Sequence, residues 1–290
     1  MRVLVLGATG MLGHKLMQKL PERFEVFGTT RAMQKAHHHP EIFKNATLIG
    51  GVFAEDVDSL VRAIQLAKPD AIVNCIGIIK QHAEAKDALK SIATNALFPH
   101  RLANLCGLMG IRMVHISTDC VFSGRQGNYT EDSVSDAEDL YGRSKYLGEV
   151  TTNGCLTLRT SIIGRELGSH YGLIEWFLGQ QGKTIRGFTQ AIFSGFTTLQ
   201  LARIIGDILT DFPTLDGLWH VAAQPISKYD LLVQAKGVFN LDVDIQPDSN
   251  VVIDRSLDAK RFYALTNFKA PSWDAMLTEL AADSVYYQGK

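Results

Sequence analysis

The sequence has few of the features that mark secreted, metal-stabilised or membrane proteins. Its 4 cysteines are scattered along 290 residues without a Cys-x-x-Cys pair, which argues against a disulfide framework and a zinc site. No apolar segment approaches the roughly 18 residues that span a membrane. The apolar run after Met1 stops at Gly7 and is too short for a signal peptide. These absences predict a cytoplasmic protein with no membrane partner.

An excess of charge of one sign is also missing. The chain carries 29 basic and 30 acidic residues, for a net charge of -1, so we expect neither nucleic acid nor an anionic membrane surface as a partner. Three consecutive histidines, His37, His38 and His39, lack a carboxylate or cysteine at ligand spacing, and adjacent side chains rarely converge on one ion. We therefore predict no metal. The composition, 46% apolar and 20% charged residues, is typical of a globular enzyme.

Short apolar segments alternate with helical patterns through the first half of the chain. The segments predicted as strands are 2–6, 24–28, 46–49, 71–74, 113–116 and 155–159. Strands that alternate with helices form parallel sheets through right-handed crossovers. The predicted fold class is therefore α/β, with a Rossmann-type doubly wound parallel sheet.

The alternation changes from Arg165 onward. Helical patterns near 174–180, 198–210 and 228–239 are interleaved with short strands such as 218–222, without a long linker. We predict a dinucleotide-binding Rossmann domain over residues 1–160. Residues 161–290 are predicted to form a smaller α/β lobe that mainly binds substrate, with some segments returning to the first domain.

A glycine-rich turn joins the first predicted strand to the first helix. In it, Gly7 permits a tight turn, Gly10 lets a pyrophosphate approach the backbone, and Gly13 lets the helix pack closely on the strand. The spacing differs from Gly-x-Gly-x-x-Gly, yet its place between a strand and a helix N-terminus predicts a dinucleotide site. The predicted cofactor contacts of this turn are Gly7, Thr9, Gly10, Met11, Leu12 and Gly13.

The second predicted strand ends in Thr29-Thr30-Arg31. NAD-specific folds usually place an acidic residue at this position for the ribose hydroxyls. A guanidinium at Arg31 would instead grip a 2′-phosphate with two hydrogen bonds. NADP(H) is therefore favoured over NAD(H), the alternative being that Arg31 is a solvated loop residue.

The fourth predicted strand ends in Asn74 and is followed by Cys75, Ile76 and Gly77. In an open parallel sheet a nicotinamide dinucleotide lies at the carboxyl ends of the strands, so these three residues are predicted cofactor contacts. Lys80 follows on the same loop and is either a substrate ligand or a plain surface group.

A long helical pattern over residues 85–109, interrupted only at Pro99, contains Asn95. A further helix opens at Tyr141. These two helices offer faces on which two copies of the chain could pair into a homodimer.

The stretch around Tyr141 contains the candidate catalytic groups. An apolar strand ends in Ser117-Thr118-Asp119, and Tyr141 and Lys145 then share one face of a helix. An ammonium one turn away favours the phenolate and brings the phenol's pKa closer to neutral pH, where acid–base catalysis is most effective. With the hydroxyl of Thr118 beside it, the site is predicted to reduce a carbonyl group.

The same Tyr-x-x-x-Lys spacing recurs at Tyr286 and Lys290. Such a match arises by chance roughly 0.4 times in a chain of this composition. No strand or hydroxyl motif precedes the C-terminal pair, so we interpret it as accidental.

These motifs together resemble the extended short-chain dehydrogenase/reductases over nearly the whole chain. Within that superfamily, segments 117–124 (STDCVFSG), 141–145 (YGRSK) and 158–161 (LRTS) are similar to the dTDP-4-dehydrorhamnose reductases and related sugar-nucleotide reductases. Two positions depart from the rhamnose enzymes: Cys120 stands where they usually have tyrosine, and the loop 78–81 lacks their acidic pattern.

The resemblance assigns roles to residues already singled out and adds others. It implies that Tyr141 donates a proton, that Lys145 modulates its pKa and binds the ribose, and that Thr118 polarises the keto group. It also implies that Asn95 supports Lys145 through the helix backbone and that Arg255 faces the nucleotide diphosphate. The predicted cofactor contacts include Asn95 and Ser117, and the predicted substrate contacts are Lys80, Asp119 and Arg255.

The function implied by the resemblance is NADPH-dependent reduction of the 4-keto group of a nucleotide-diphosphate deoxysugar, in polysaccharide biosynthesis. The same superfamily contains sugar-nucleotide epimerases and a non-catalytic regulatory subunit of methionine adenosyltransferase, and both stay open as alternatives. A regulatory protein is free to lose Tyr141 or Lys145, and this chain has both.

Overall fold

The computed structural model describes residues 1–81, 83–152 and 154–287. In chain order, strands β1 to β14 are Arg2–Leu6, Glu25–Thr30, Thr47–Gly50, Ala71–Asn74, Arg112–Ile116, Leu156–Arg159, Ile162–Ile163, Thr184–Phe188, Ala191–Phe193, Phe196–Thr197, Gly217–His220, Ile226–Ser227, Asp244–Asp248 and Ile253–Asp254. Helices α1 to α12 are Gly13–Lys19, Gln34–His37, Pro40–Phe43, Val57–Ala67, Ala88–Ser91, Phe98–Met109, Leu140–Leu147, Leu173–Leu178, Thr198–Asp211, Lys228–Val238, Lys260–Thr266 and Trp273–Ala282. Short 3-10 helices cover Leu20–Glu22, Ala83–Lys86, Asp119–Val121 and Asp283–Tyr287. Within the described residues, no helix combines the length and the apolar character needed to cross a membrane.

Seven strands form the central sheet, in the order β11-β6-β5-β4-β1-β2-β3. The pairings of β1 with β2 and with β4 are parallel, and Leu4 lies opposite Phe27 on one side and Ile72 on the other. Residues 3–6 of β1 are fully buried, which explains their continuous apolar run, because a parallel sheet is covered on both faces. The predicted Rossmann-type doubly wound sheet is confirmed. Its strand order reverses between β1 and β4, the place where such sheets bind ligands.

One compact unit consists of Met1–Ser117, Asp139–Leu158 and Thr198–Leu218. Its core includes Leu60 and Ile64 of α4 and Leu102 of α6, packed against apolar residues of the sheet. Helix α4 begins where the side chain of Asp56 accepts hydrogen bonds from the amides of Asp58 and Ser59, which satisfies donors that a helix start leaves open. We call this part of the chain the sheet unit.

The second compact unit consists of Thr118–Glu138, Arg159–Thr197 and Trp219–Lys290, and we call it the small-sheet unit. It contains the small sheets β12-β9-β14, β13-β8 and β10-β7. The ring of Phe122 stacks on that of Tyr129, with 4.1 Å between centroids. The amide of Tyr129 donates to the carbonyl oxygen of Ser256 (2.9 Å), and the amide of Asp254 to that of Gly124 (2.7 Å). Residues 122–129 and 254–256 are therefore held together by backbone hydrogen bonds.

Two predicted elements of the C-terminal half belong wholly or partly to the sheet unit. The helical pattern 198–210 is α9, which belongs to the sheet unit, and the predicted strand 218–222 is β11 at the edge of the central sheet. The patterns at 174–180 and 228–239 are α8 and α10 of the small-sheet unit.

The helical stretch 85–109 differs from the prediction of one helix interrupted at Pro99. The α-helical geometry gives way to a π-helical segment, Ile92–Leu97, between α5 and α6. Pro99 lies in the first turn of α6, where a missing amide hydrogen is tolerated. Single π-helical turns are frequent at functional sites, and this one contains Asn95.

Candidate active site

The glycine-rich turn after β1 is tight because its backbone leaves no room for side chains. Gly7 has a φ of +83°, and a Cβ on Gly13 would lie 2.0 Å from the oxygen of Gly7. A Cβ on Gly10 would meet only that oxygen, at 3.3 Å, so this side of the turn stays open to a ligand. The hydroxyls of Thr9 and Thr30 lie 3.4 Å apart and connect the turn to the end of β2.

The amides that follow Gly10 are available to a ligand. The side chain of Leu12 supplies no cap to α1, and within the described part of the chain no backbone oxygen accepts from the amide of Met11 or Leu12. Backbone amides in this setting bind phosphate oxygens. The turn therefore fits a dinucleotide diphosphate.

Arg31 lies directly after β2 and is exposed. It makes no hydrogen bond or ion pair with the residues that the structure describes. Its guanidinium is consequently available to a ligand bound at the glycine turn.

Asn95 connects the loop after β4 to α7. Its Oδ1 accepts from the amide of Ile78 (2.8 Å), and its Nδ2 donates to the carbonyl oxygen of Ile78 (3.1 Å) and to the hydroxyl of Ser144 (3.2 Å). At the start of the same loop, the Oδ1 of Asn74 accepts from the amide of Ile76 (3.1 Å). Two asparagine side chains thus fix the backbone of the predicted cofactor loop 75–78.

Lys80 lies on this loop but faces α7. Its Nζ lies 2.6 Å from Oδ2 of Asp139, and Oδ1 of Asp139 caps α7 by accepting from the amide of Gly142 (2.7 Å). Lys80 is therefore paired with the helix that bears Tyr141, and its predicted role in substrate binding stays a prediction.

Lys145 lies one turn after Tyr141 on α7 and is buried. Its Nζ donates to the carbonyl oxygen of Ile116 at 2.7 Å and would lie 3.9 Å from a Cβ on Gly77. Burial lowers the pKa of Lys145 to about 8, and attraction to Glu149 and Cys75 opposes that shift. The ammonium thus faces both the end of β5 and the cofactor loop.

The thiol of Cys75 at this loop is held in its protonated form. Burial raises its pKa to about 12, with the nearby Lys145 opposing the shift. A protonated thiol contributes only a small, weakly polar surface, which suits the predicted contact with a cofactor ring.

The small-sheet unit supplies the other predicted site residues. The hydroxyl of Thr118 accepts from the amide of Cys120 (3.1 Å) and donates to Oδ1 of Asp119 (3.2 Å). Burial raises the pKa of Asp119, and attraction to Arg255 opposes this shift. The Nε of Arg255 donates to the carbonyl oxygen of Phe122 at 2.8 Å. Thr118, Asp119 and Arg255 therefore form one cluster.

Comparison with known proteins decides the family. The sequence model of the RmlD substrate binding domain matches residues 1–284. The chain belongs to the RmlD substrate binding domain family. The predicted resemblance to the dTDP-4-dehydrorhamnose reductase-like sugar-nucleotide reductases is confirmed.

The proteins similar to this chain have names that indicate different functions. The chain is 27% identical over 234 residues to the spore coat polysaccharide biosynthesis protein SpsK of Bacillus subtilis, covering 79% of this chain and 75% of that protein. It is 24% identical over 267 residues to methionine adenosyltransferase 2 subunit beta of Xenopus laevis, covering 83% and 72%. The solved dTDP-4-dehydrorhamnose reductase of Bacillus anthracis, in complex with NADP, has a TM-score of 0.79, 22% identity and coverage of 97% and 99%.

Three residues of this candidate site were not predicted from the sequence. Asp139 caps α7, Asn74 holds the cofactor loop, and Glu149 accepts a hydrogen bond from the hydroxyl of Ser117 (2.7 Å). An acidic residue two positions before Tyr141 is a recognisable N-cap signal, so Asp139 could have been found. The hydrogen bond of Asn74 spans only two positions, a local pattern that asparagine commonly forms, so Asn74 could also have been found. The hydrogen bond between Ser117 and Glu149 joins residues 32 positions apart and carries no local signal.

Proposed function

We propose that this RmlD-family protein is an NADPH-dependent reductase of the 4-keto group of a nucleotide-diphosphate deoxysugar, as in dTDP-4-dehydrorhamnose reductases. The observation that carries the proposal is the buried Lys145, held by Ile116 beside the cofactor loop and one turn from Tyr141. The sequence predicts an NAD(P)-dependent oxidoreductase. The relatives that are reductases belong to the same class.

In the catalytic step the protein contributes a proton donor and charges that stabilise the reacting groups. NADPH, when bound at the glycine turn and the loop 75–77, would supply the hydride. Tyr141 gives its phenolic proton to the carbonyl oxygen, and the Lys145 ammonium stabilises the phenolate that remains. The hydroxyl of Thr118, which donates to Oδ1 of Asp119 in the free protein, would turn its single proton to the same carbonyl oxygen and polarise it. Hydride and proton together convert the ketone to an alcohol.

Arg31 supports the choice of NADP(H) over NAD(H). It is exposed at the end of β2, without a partner among the residues described, and an arginine fork matches the geometry of a phosphate group. The NADP complex of the Bacillus anthracis reductase is in keeping with this choice. We assign the glycine turn, residues 75–77 and the ribose contact of Lys145 to the same cofactor.

The cluster of Thr118, Asp119 and Arg255 supports a sugar nucleotide as substrate. Because only the Nε of Arg255 hydrogen-bonds within the described residues, its two terminal nitrogens can bind diphosphate oxygens in the bidentate way that arginine favours. On this proposal the sheet unit binds the dinucleotide and the small-sheet unit binds the substrate.

A regulatory function is the second candidate, because methionine adenosyltransferase 2 subunit beta is among the relatives. A protein of that kind would need the nucleotide-binding fold and no acid–base pair. The presence of Tyr141 with a buried Lys145 of lowered pKa favours the reductase, since a buried ammonium is costly to retain without use.

Oxidation of NADPH, followed with a panel of nucleotide-linked 4-keto sugars, tests the proposal. The same nucleotide sugars with a hydroxyl in place of the keto group are the control. Turnover of one keto sugar and none of the controls supports the reductase. Binding of NADPH without turnover of any member supports the regulatory function, and NAD that stays bound and is recycled supports an epimerase.

We also propose a homodimer formed through α5, the π-helical segment and α7. Leu89, Ile92, Leu97, Tyr146 and Leu147 are large apolar side chains exposed on these elements. Sedimentation of the purified protein tests this, with Leu147→Glu expected to yield monomer if these helices pair. The cytoplasmic location also stays a prediction, to be checked by cell fractionation.

A further inference from the structure

Glu149 lies two residues after the end of α7, and its carboxylate is bound to the residue that follows β5. Its Oε1 accepts a hydrogen bond of 2.7 Å from the hydroxyl of Ser117. The amide of Ser117 donates to the carbonyl oxygen of Leu158 at 2.8 Å, so Ser117 is held on both sides. Ser117 immediately precedes Thr118 in the chain.

The chain reaches this position because residue 148 is a glycine. A Cβ on Gly148 would lie 1.9 Å from the carbonyl oxygen of Asn95, a distance that no side chain tolerates. The amide of Gly148 donates to the carbonyl oxygen of Lys145 (3.1 Å), and that of Glu149 to Tyr146 (3.1 Å). Glu149 is consequently fixed to the last turn of α7, which carries Lys145.

The groups that act electrostatically on Lys145 come from three elements. Cys75 follows β4, His115 lies on β5, and Glu149 follows α7. Burial raises the pKa of the Cys75 thiol to about 12. Burial also holds the pKa of His115 well below its usual range, with Lys145 and His100 adding to the shift. Both groups are therefore neutral near pH 7, and of the three only Glu149 has a carboxylate.

Two successive residues at the end of β5 thus bind the two charged groups of one helix end. The carbonyl oxygen of Ile116 accepts from Lys145, and the hydroxyl of Ser117 donates to Glu149. We propose that Glu149 is a positioning residue that supplies the negative charge opposed to the buried Lys145 ammonium and, through Ser117, fixes the strand end that leads to Thr118. The effect of Glu149 on catalysis rests on the proposed reductase function. Its effect on the charge of Lys145 does not.

The Glu149 carboxylate affects the fraction of Lys145 that is charged at the pH of an assay. Attraction to a carboxylate favours the ammonium and opposes the effect of burial. Without Glu149, burial acts unopposed by that charge, and the pKa of Lys145 moves below its present value of about 8. A larger share of Lys145 is then neutral near pH 7.5, and a neutral amine no longer stabilises a phenolate at Tyr141.

The test measures the Lys145 pKa directly in the free protein. Lysine labelled with 13C at Cε gives an NMR titration, in which the Lys145 signal is assigned by its loss in Lys145→Arg. Glu149→Gln keeps an acceptor for Ser117 and removes the charge, so the pKa of Lys145 is expected to fall by roughly one unit. Glu41→Gln removes one charge from an exposed pair with Lys44 and should leave the Lys145 pKa unchanged.

Ser117→Ala separates the two roles of Glu149, since it removes the hydrogen bond and keeps the carboxylate. The Lys145 pKa in this variant should stay near the wild-type value. Should Glu149→Gln fail to fold, Glu149→Asp withdraws the carboxylate by one methylene and is expected to lower the pKa by less. An unchanged Lys145 pKa in a folded Glu149 variant overturns the proposal.

A second measurement distinguishes failure of this inference from failure of the proposed function. In an active reductase, the alkaline limb of kcat/KM should move to lower pH in Glu149→Gln by the same amount as the NMR pKa. If the wild-type protein turns over no keto sugar while the NMR shift is found, the reductase proposal fails and the role of Glu149 stands. If turnover is found and the alkaline limb does not move although the NMR pKa does, Glu149 acts on the charge of Lys145 but not on catalysis.

Discussion

The ammonium nitrogen of Lys145 donates a 2.7 Å hydrogen bond to the carbonyl oxygen of Ile116, the last residue of β5. A lysine held this way cannot extend to solvent, and its burial lowers its pKa to about 8. The charge of Lys145 therefore changes within a pH range in which the protein can be assayed, which makes its role measurable.

Activity is predicted to fall as pH rises through about 8. The ammonium is the form present below the lowered pKa, and it is lost above that value, so stabilisation of the Tyr141 phenolate is lost on the alkaline side. The kcat/KM for a keto sugar, measured from pH 6 to pH 10, should show this limb. In Lys145→Met the limb should be absent and the remaining activity low. A wild-type profile that is flat to pH 10 would contradict this role for Lys145.

Tyr141→Phe removes one oxygen and leaves the packing volume of the ring nearly unchanged. Turnover should fall by about a hundred to ten-thousand-fold, the usual contribution of a positioned general acid, while NADPH binding and thermal stability are retained. Single-turnover oxidation of NADPH and fluorescence titration of NADPH measure the two properties separately.

The matched control for this substitution is Tyr146→Phe, because Tyr146 is on the same helix and its side chain is exposed. It should behave as wild type. Equal activity in the two variants would exclude Tyr141 as the proton donor and favour the regulatory function.

Local sequence patterns predicted the elements that are buried on both sides. β1 and β4 were predicted at 2–6 and 71–74 and observed at Arg2–Leu6 and Ala71–Asn74, because an uninterrupted apolar run bounded by glycine or asparagine has few alternatives to a central strand. The positive φ of Gly7 likewise follows from the turn that its spacing predicts.

The contacts around α7 were not predictable in the same way. The π-helical segment at Asn95 and the approach of Gly148 to its carbonyl oxygen depend on how two helices pack, which no local periodicity encodes. From the sequence, Lys80 is either a substrate ligand or a surface group. Its ion pair with Asp139 joins residues 59 positions apart, so no local pattern indicates it.

Substitutions in the glycine turn should separate folding from cofactor binding. Gly13→Ala places a Cβ 2.0 Å from the oxygen of Gly7, an overlap expected to cost about 1 to 3 kcal/mol of unfolding free energy. Gly10→Ala meets only one protein atom, at 3.3 Å, so the fold should persist while the diphosphate loses its close approach. Chemical denaturation and NADPH titration measure the two effects.

Gly237→Ala is the control for both glycine variants. It lies in α10, and a Cβ there would meet no atom within 4 Å. Alanine in a helix interior is favoured over glycine by roughly 0.5 to 1 kcal/mol, so this variant should be slightly more stable and bind NADPH normally. If NADPH binding is weakened in Gly13→Ala but not in Gly10→Ala, the diphosphate does not bind over Gly10.

Arg31→Ala is predicted to weaken NADPH binding more than NADH binding. The two cofactors differ by the 2′-phosphate, and a charge-assisted contact to that group is worth about 1.5 to 3 kcal/mol, or roughly ten to a hundred-fold in affinity. Titration of both cofactors against wild type and variant gives the ratio. Arg101→Ala, which removes an exposed arginine from α6, controls for the loss of one positive charge. Because attraction between separated surface charges is screened over about 10 Å at 0.1 M salt, the Arg31 effect should persist at that ionic strength if the contact is direct. An equal loss of affinity for NADPH and NADH would show that Arg31 does not contact the 2′-phosphate.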